Sequence, residues 1–326
     1  MENTVIKTRV VGVDISLERT TFAIVDVRGN IIASDFMDTL AYATSNEFVT
    51  TLCERIIELV TANGGYETIR SVGVSAPSAN FVTGCMENSP NLPWKGVIPL
   101  AALMRDQLGL AVGVANDAHS TALGERAYGS AHGMKDFIVL NIGFGLGSCF
   151  FSNGREHQGY GGFAGEFGHT CIQEHGRVCT CGKVGCLESY VSARGIVMTA
   201  EELMAESDKP SLMRSIEKLS PRTITECCDQ GDELAIETYR RTGHTFGISL
   251  ANYASIINPE AIILTGGISR AGHWLLDPVK EAFEEHVFGG IRGNTKIFIS
   301  TLDNRTRDVL GASAVAWDVK EYSLFK

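Results

Sequence analysis

Val10 to Asp26 reads VVGVDISLERTTFAIVD, and Phe137 to Phe151 reads FIVLNIGFGLGSCFF. A tight polar turn follows each stretch: Arg28-Gly29-Asn30 leads into Ile31-Ile32-Ala33, and Asn153-Gly154-Arg155 follows the second. An apolar run, a polar turn and a second apolar run describe a buried strand pairing with its neighbour. Two such units far apart in one chain indicate an internal duplication.

Outward from these units, strands and helices alternate. Phe48, Leu52, Ile56 and Leu59 recur at helical spacing after the polar stretch Thr44-Ser45-Asn46. Ser71 to Ser75 reads as a strand ended by Pro77, and Val112 to Ala115 as another running into Asn116-Asp117. A long helix is expected from Asp232 to Asn258-Pro259, then a strand from Ala261 to Leu264 leading into Thr265-Gly266-Gly267. Such alternation implies a largely parallel or mixed sheet covered on both faces. The duplicated plan, with each turn where backbone can wrap a phosphate, is that of the actin-like (ribonuclease-H-like) ATPase folds, two duplicated α/β domains around a cleft. The duplication sets the expected boundary at about Asp117. Residues 1–117 then form an N-terminal α/β domain, 118–305 a larger domain holding a cysteine cluster, and 306–326 return to the first.

Bulk properties narrow the function. The 326 residues suffice for two ordinary domains, and 35 glycines fit an α/β protein whose ligand contacts come from loops. A net charge of -10 argues against a general nucleic-acid surface, because phosphate attraction is the main source of non-specific affinity. No apolar run approaches the roughly 20 residues that span a bilayer, so no membrane partner is expected. Met1 to Arg9 lacks the apolar core of a signal peptide. Nine cysteines without an export signal favour reduced thiols and a metal site over disulfides, and a cytoplasmic location.

The cysteines concentrate in Cys179-Thr180-Cys181-Gly182-Lys183-Val184-Gly185-Cys186, downstream of His169. Zinc takes four soft or borderline ligands in a tetrahedron, and one short loop supplies three of them at little closure cost. Gly182 and Gly185 permit the loop to fold back around an ion. The competing reading is a set of buried thiols. A zinc ribbon needs two paired knuckles, and one is present here.

Around this cluster stand Gly165-Glu166-Phe167-Gly168-His169 and Leu187-Glu188. Together with the cysteines they closely resemble the zinc signature of the ROK (repressor, open reading frame, kinase) family of sugar kinases. That resemblance implies a structural Zn2+ held by His169, Cys179, Cys181 and Cys186, and sugar hydroxyls held by Glu166, His169 and Glu188. Carboxylates accept strongly from hydroxyls, and a metal-bound imidazole presents its free N–H as a directed donor. The alternative for the two glutamates is a pair of surface carboxylates. Asn116-Asp117-Ala118, with Gly124-Glu125, resembles the family segment in which the aspartate takes the proton of the attacking sugar hydroxyl and the asparagine orients the sugar. Ser89-Pro90-Asn91-Leu92-Pro93-Trp94 is similar to a family segment near the sugar, which makes Asn91 a candidate sugar ligand; a proline-fixed loop with a packed Trp94 is the alternative.

The phosphate loops diverge from the family pattern. ROK kinases carry Asp-x-Gly-Gly-Thr in the first and Gly-Thr-Gly in the second, where glycines let backbone N–H groups approach phosphates. Here the first reads Asp14-Ile15-Ser16-Leu17-Glu18-Arg19-Thr20 and the second Gly143-Phe144-Gly145, while Gly266-Gly267 matches the third. Asp14 is expected near Mg2+, Thr20 is a candidate replacement hydroxyl, and Gly143, Gly145, Gly266 and Gly267 complete the nucleotide set. Arg19 is expected to reach inward if Glu18 faces the phosphates; otherwise Glu18 points to solvent.

The resemblance implies an ATP-dependent kinase converting a hexose to its 6-phosphate, with Mg2+ and ATP between the domains and Asp117 as base. A sugar sensor that lost ATP handling is the alternative. A DNA-binding repressor is disfavoured by the acidic balance and by the short stretch ahead of Val10. Homodimers or homotetramers are expected from resemblance alone.

Overall fold

A computed structural model describes residues 7–89 and 92–319. The first compact unit runs to His132, takes in Tyr160–Gly162 and resumes at Leu302; the second comprises Gly133–Gly159 and Phe163–Thr301.

The stretch Val10 to Asp26 is itself a hairpin, β1 (Arg9–Ile15) and β2 (Arg19–Asp26), and β3 (Ile31–Asp38) continues it antiparallel. Then follow α1 (Ser45–Ala62), β4 (Ile69–Ser75), three short strands β5 (Ala79–Asn80), β6 (Cys85–Glu87) and β7 (Val97–Ile98), α2 (Leu100–Leu108), β8 (Ala111–Ala115) and α3 (Asp117–Tyr128). The main sheet has the order β3-β2-β1-β4-β8, with β4 parallel to both β1 and β8. The α1 helix starts where the polar stretch foretells, because Thr44 and Glu47 form a reciprocal capping box. Its Phe48, Leu52 and Ile56 pack on Val11, Val13 and Ile15 of one face of β1.

The second unit repeats the plan. Its strands β9 (Phe137–Ile142), β10 (Leu146–Ser152) and β11 (Arg155–Glu156) form the antiparallel part. Helices α4 (Glu188–Val191), α5 (Ala193–Glu206), α6 (Pro221–Asp229) and α7 (Glu233–Ile257) precede β12 (Ala261–Thr265), α8 (His273–His286) and β13 (Lys296–Ile299). The order β11-β10-β9-β12-β13, with β12 parallel to β9 and β13, matches the first sheet strand for strand. The α7 helix spans the expected length: Asp232 caps its N-terminus, and Asn258 ends it in the left-handed region at φ 52°. Among the described residues no helix is long and apolar enough to cross a membrane.

The last helix, α9 (Arg307–Asp318), lies on the first sheet. Gly12, Gly73 and Gly113 are register partners across β1, β4 and β8, and they leave a bare strip there. A Cβ on Gly12 would stand 2.5 Å from the Val309 carbonyl, and one on Gly73 would overlap the Ala312 and Ala316 backbone. Gly124 of α3 meets Gly311 of α9 in the same backbone-to-backbone manner. These glycines bring the α9 N-terminus to the carboxyl-end edge of β1 and β4.

Candidate functional site

Strand register assembles the polar cluster of the first unit. Asp14 of β1 pairs with Ser75 of β4, and Ser75 pairs with Ala115, the last residue of β8. All three sit at the carboxyl edge of parallel strands, where open α/β sheets place their ligands. Two residues beyond Ala115 comes Asp117, the first residue of α3. Asn116 is the helix N-cap, and its Oδ1 accepts the His119 amide hydrogen at 2.9 Å. The cap fixes the direction in which α3 leaves the sheet and thereby orients Asp117.

The first turn of α9 supplies two further groups, Arg307 and Asp308. The Arg307 Nε donates to Asp308 Oδ1 at 2.8 Å and its Nη1 to Asn304 Oδ1 at 2.8 Å. Burial raises the Asp14 pKa well above the usual carboxylate range, and the negative charges of Asp308 and Asp117 add to this against opposition from Ser75 and Arg307. Surrounding protein atoms, then the Asp308 charge, push Asp117 up to about 6, while the Ser75 hydroxyl acts in the opposite direction. Asp117 nonetheless keeps a solvent-accessible face, so it is crowded and reachable at once. Ser75, Arg307 and Asp308 were invisible to sequence reasoning. Ser75 emerges only from register, and Arg307 and Asp308 lie at the opposite end of the chain.

The first hairpin departs from what the sequence suggested. Thr20, a candidate hydroxyl for phosphate, is 0% exposed and shares a 2.8 Å hydrogen bond with Thr39. This corrects the expectation: the side chain next to the turn points into the sheet. Arg19 does not reach inward either, because its guanidinium lies 3.6 Å from the centre of the Phe36 ring. Glu18 is exposed, and Leu17 at the tip is 44% exposed. Loss of the glycines causes no backbone strain, since no residue from Ser16 to Arg19 has positive φ.

Asn91 lies outside the described residues. Nearby, Trp94 packs on Phe48 at 4.5 Å between ring centres and donates to the Tyr42 carbonyl at 3.2 Å, as a packed loop residue would. Glu125 is fully buried and accepts the Ser130 amide hydrogen at 2.9 Å just beyond the end of α3.

In the second unit the Gly-Glu-Phe-Gly-His segment is laced to β10. The Ser148 hydroxyl bonds the Gly165 carbonyl and accepts the Phe167 amide hydrogen at 3.1 Å, while Gly168 lies against the Leu146 carbonyl where a Cβ would collide. The tight one-turn helix Phe167–His169 then projects Glu166 and His169 from a fixed base. Glu166 is exposed, and its carboxylate has no hydrogen-bond partner among the described residues.

The cysteine loop closes into a knuckle. Gly182 donates to the Cys179 carbonyl at 3.0 Å and Cys179 to the Lys183 carbonyl at 2.8 Å, with Gly182 at φ 87° and Gly185 at φ 78°. Glycine is required at both positions by conformation, and at Gly185 also because a Cβ would strike the Gln173 carbonyl. One ligand atom from each of His169, Cys179, Cys181 and Cys186 lies within 4.8 Å of all the others. His169 Nδ1 is 3.8 Å from Cys179 Sγ, and Cys181 Sγ is 3.7 Å from Cys186 Sγ. Bond lengths of about 2.3 Å to sulfur and about 2.0 Å to nitrogen give a zinc tetrahedron edges of about 3.5–3.8 Å. The donor set and spacing therefore fit zinc, with Nδ1 the ring nitrogen that His169 brings to Cys179. Arg177 anchors the knuckle to the α4–α5 corner. It donates to the Ser189 and Gly195 carbonyls at 3.0 and 2.9 Å, to Thr199 at 2.9 Å, and to Glu202.

Glu188 begins α4, and its Oε2 accepts the Leu146 amide hydrogen at 2.9 Å. Gly143 and Gly145 form the tip of the β9–β10 hairpin, and Phe144 between them is 96% exposed. Gly266 stands at φ 91° after β12, where a Cβ would collide with the Ile142 backbone, and Gly267 is open to its surroundings. Register places Thr265 beside Asn141, so the hairpin and the Gly266-Gly267 turn emerge at one sheet edge.

Two sheets of identical strand order, each ending its central strands in polar loops, define an actin-like ATPase fold. The chain belongs to the ROK family, whose model matches residues 10–319. It is 31% identical over 315 residues to a glucokinase of Halalkalibacterium halodurans, covering 91% of this chain and 94% of that protein. A xylose repressor of Caldicellulosiruptor bescii is 27% identical, over 94% of this chain and 77% of the repressor. The structure of a ROK family glucokinase from Streptomyces griseus, in complex with glucose and AMPPNP, matches with a TM-score of 0.76 at 28% identity. That match covers 95% of this chain and 100% of the other. The family thus includes both kinases and regulators.

Proposed function

We propose that this protein is a sugar kinase that transfers the γ-phosphoryl group of ATP to a hexose hydroxyl, with Asp117 as general base. The observation that carries the reading is the setting of Asp117. It is a reachable carboxylate at a helix N-terminus, pushed up to about 6 by crowding and by Asp308. A base tuned toward neutrality takes a hydroxyl proton more readily than an ordinary aspartate. Phosphoryl transfer asks mainly for positioning and charge stabilisation, and late proton removal suits a carboxylate. Asn116 would help to orient the sugar through its amide nitrogen, and Asp14 would serve a magnesium ion accompanying ATP.

Glu166, Glu188 and the His169 Nε2 are the groups of the second unit suited to sugar hydroxyls, the carboxylates accepting and the imidazole donating. His169, Cys179, Cys181 and Cys186 would hold a zinc ion, which when bound fixes the imidazole tautomer and orientation. The glucokinase relatives support the choice of hexose and ATP.

A second reading, a sugar sensor with impaired ATP handling, is favoured by one feature. The first hairpin offers phosphates neither Thr20 nor Arg19, and Phe144 replaces a hydroxyl in the second. A coupled ADP-release assay with Mg-ATP across glucose, mannose, fructose, allose and N-acetylated hexosamines separates the two. The kinase reading requires ADP release with at least one sugar. Thermal stabilisation by a sugar without ADP release selects the sensor.

A further inference from the structure

The two carboxylate oxygens of Glu188 face different parts of the second unit. Oε2 accepts the Leu146 amide hydrogen at 2.9 Å, and Leu146 directly follows Gly143-Phe144-Gly145. Oε1 accepts the Thr180 hydroxyl at 3.2 Å and lies 3.7 Å from Cys179 Sγ, both within the cysteine knuckle. One side chain therefore touches the metal-ligand loop and the hairpin tip.

Local packing is arranged around this contact. Gly145 does not have positive φ, so glycine is not needed there for conformation. A Cβ at 145, however, would stand 2.7 Å from Glu188 Oε2. The missing side chain leaves room there for the carboxylate. On the other side of the turn, the Ala193 amide donates to the Gly143 carbonyl at 2.9 Å, so the α4–α5 corner grips the hairpin twice. Leu146 is buried, and a buried amide hydrogen that loses a charged acceptor forfeits a strong, charge-assisted bond.

We propose that Glu188, beside its candidate sugar contact, acts as a strut that couples the cysteine knuckle to the Gly143–Gly145 hairpin, so that metal loading fixes the hairpin for a polyphosphate ligand. The polyphosphate part rests on the kinase reading; the mechanical part does not. When the knuckle is closed by its ligands, Thr180 is held in place and fixes Glu188 Oε1. Oε2 is then held against Leu146. When the knuckle opens, Thr180 moves, Glu188 gains rotamer freedom, and the hairpin loses its strut.

Hydrogen exchange of residues 143–147, read by mass spectrometry, tests the coupling without reference to catalysis. Four samples are compared: zinc-loaded wild type, chelator-stripped wild type, and zinc-reloaded Glu188→Ala and Thr180→Val, with zinc content verified in each. Residues 261–264 of β12 serve as reference. A lost bond to a charged acceptor is expected to speed exchange about tenfold or more in the stripped protein and in Glu188→Ala. Thr180→Val is expected to give a smaller acceleration in the same direction, with the reference segment unchanged. AMPPNP affinity is expected to fall in the same order. Unchanged hairpin exchange in the stripped protein, or in both reloaded variants, overturns the coupling. If stripping also accelerates the reference segment, the second unit has opened and the two reloaded variants decide. Failure of wild type to bind AMPPNP overturns the polyphosphate part and the kinase reading together, while the exchange result still judges the strut.

Discussion

Asp117, the proposed base, shows how crowding that raises a carboxyl's pKa costs stability. Its pKa of about 6 in the folded chain stands above the ordinary 3.8. Between these values the folded chain keeps a proton that the unfolded chain has released. This carboxyl therefore supports stability below its unfolded pKa and loses that support as pH rises through about 6. Asp117→Asn is expected to raise the melting temperature at about pH 7.5 and to leave it nearly unchanged at about pH 3, below the unfolded pKa. The same substitution is expected to lower kcat by about 100- to 10,000-fold while sugar affinity survives. In wild type, kcat should rise with pH through a midpoint near 6, as the base loses its proton. Equal turnover in mutant and wild type would remove Asp117 from the mechanism. The first hairpin makes the complementary point: Thr20 and Arg19 have the right chemistry for phosphate, but pleat direction buries one and Phe36 holds the other.

At the level of elements, the decisive contact is α9 on the strip of glycines in the first sheet. Backbone packed on backbone leaves no room for a methyl group, and neither partner can rotate away as a side chain can. Gly73 has the tightest approach, against the Ala312 carbonyl and the Ala316 nitrogen. Gly73→Ala is expected to cost about 3 kcal/mol, near the top of the usual range for overpacking. Urea unfolding should show a lower midpoint with an unchanged slope. A change below about 1 kcal/mol would mean that α9 rests on the sheet less closely than described. Because α9 carries Arg307 and Asp308, its displacement should also move the pH midpoint of kcat downward, toward that of an ordinary carboxylate.

For the whole molecule, the proposed zinc knuckle would act on the stability of its unit and on sugar binding at once. Three thiols and an imidazole at tetrahedral spacing have no purpose in packing that apolar side chains would not serve better. Purified protein is expected to hold about one zinc per chain. Its removal by a strong chelator is expected to lower the melting temperature by several degrees, since each kcal/mol is worth about 2–4 °C in a domain of this size. Sugar affinity should weaken in parallel, because His169 loses its fixed orientation. Metal analysis finding no zinc, with melting insensitive to chelator, contradicts this.

Local chemistry made much of this readable from sequence. The periods of α1 and α7, the caps at Thr44, Asp232 and Asn258, and the knuckle from Cys179 to Cys186 depend on residues close together in the chain, so their side chains announce the structure directly. The duplication was legible for the same reason, as two local patterns that repeat. Residues far apart were not. Ser75 joins Asp14 and Asp117 only through strand register, Asp308 arrives because α9 crosses three aligned glycines, and Glu188 meets Leu146 in the space beside Gly145. Sequence by itself determined the fold plan and the identity of the metal and sugar candidates. Tertiary structure alone decided which carboxylates share a field and which hairpin side chains turn inward, because electrostatics and burial depend on distances through space that chain order does not encode.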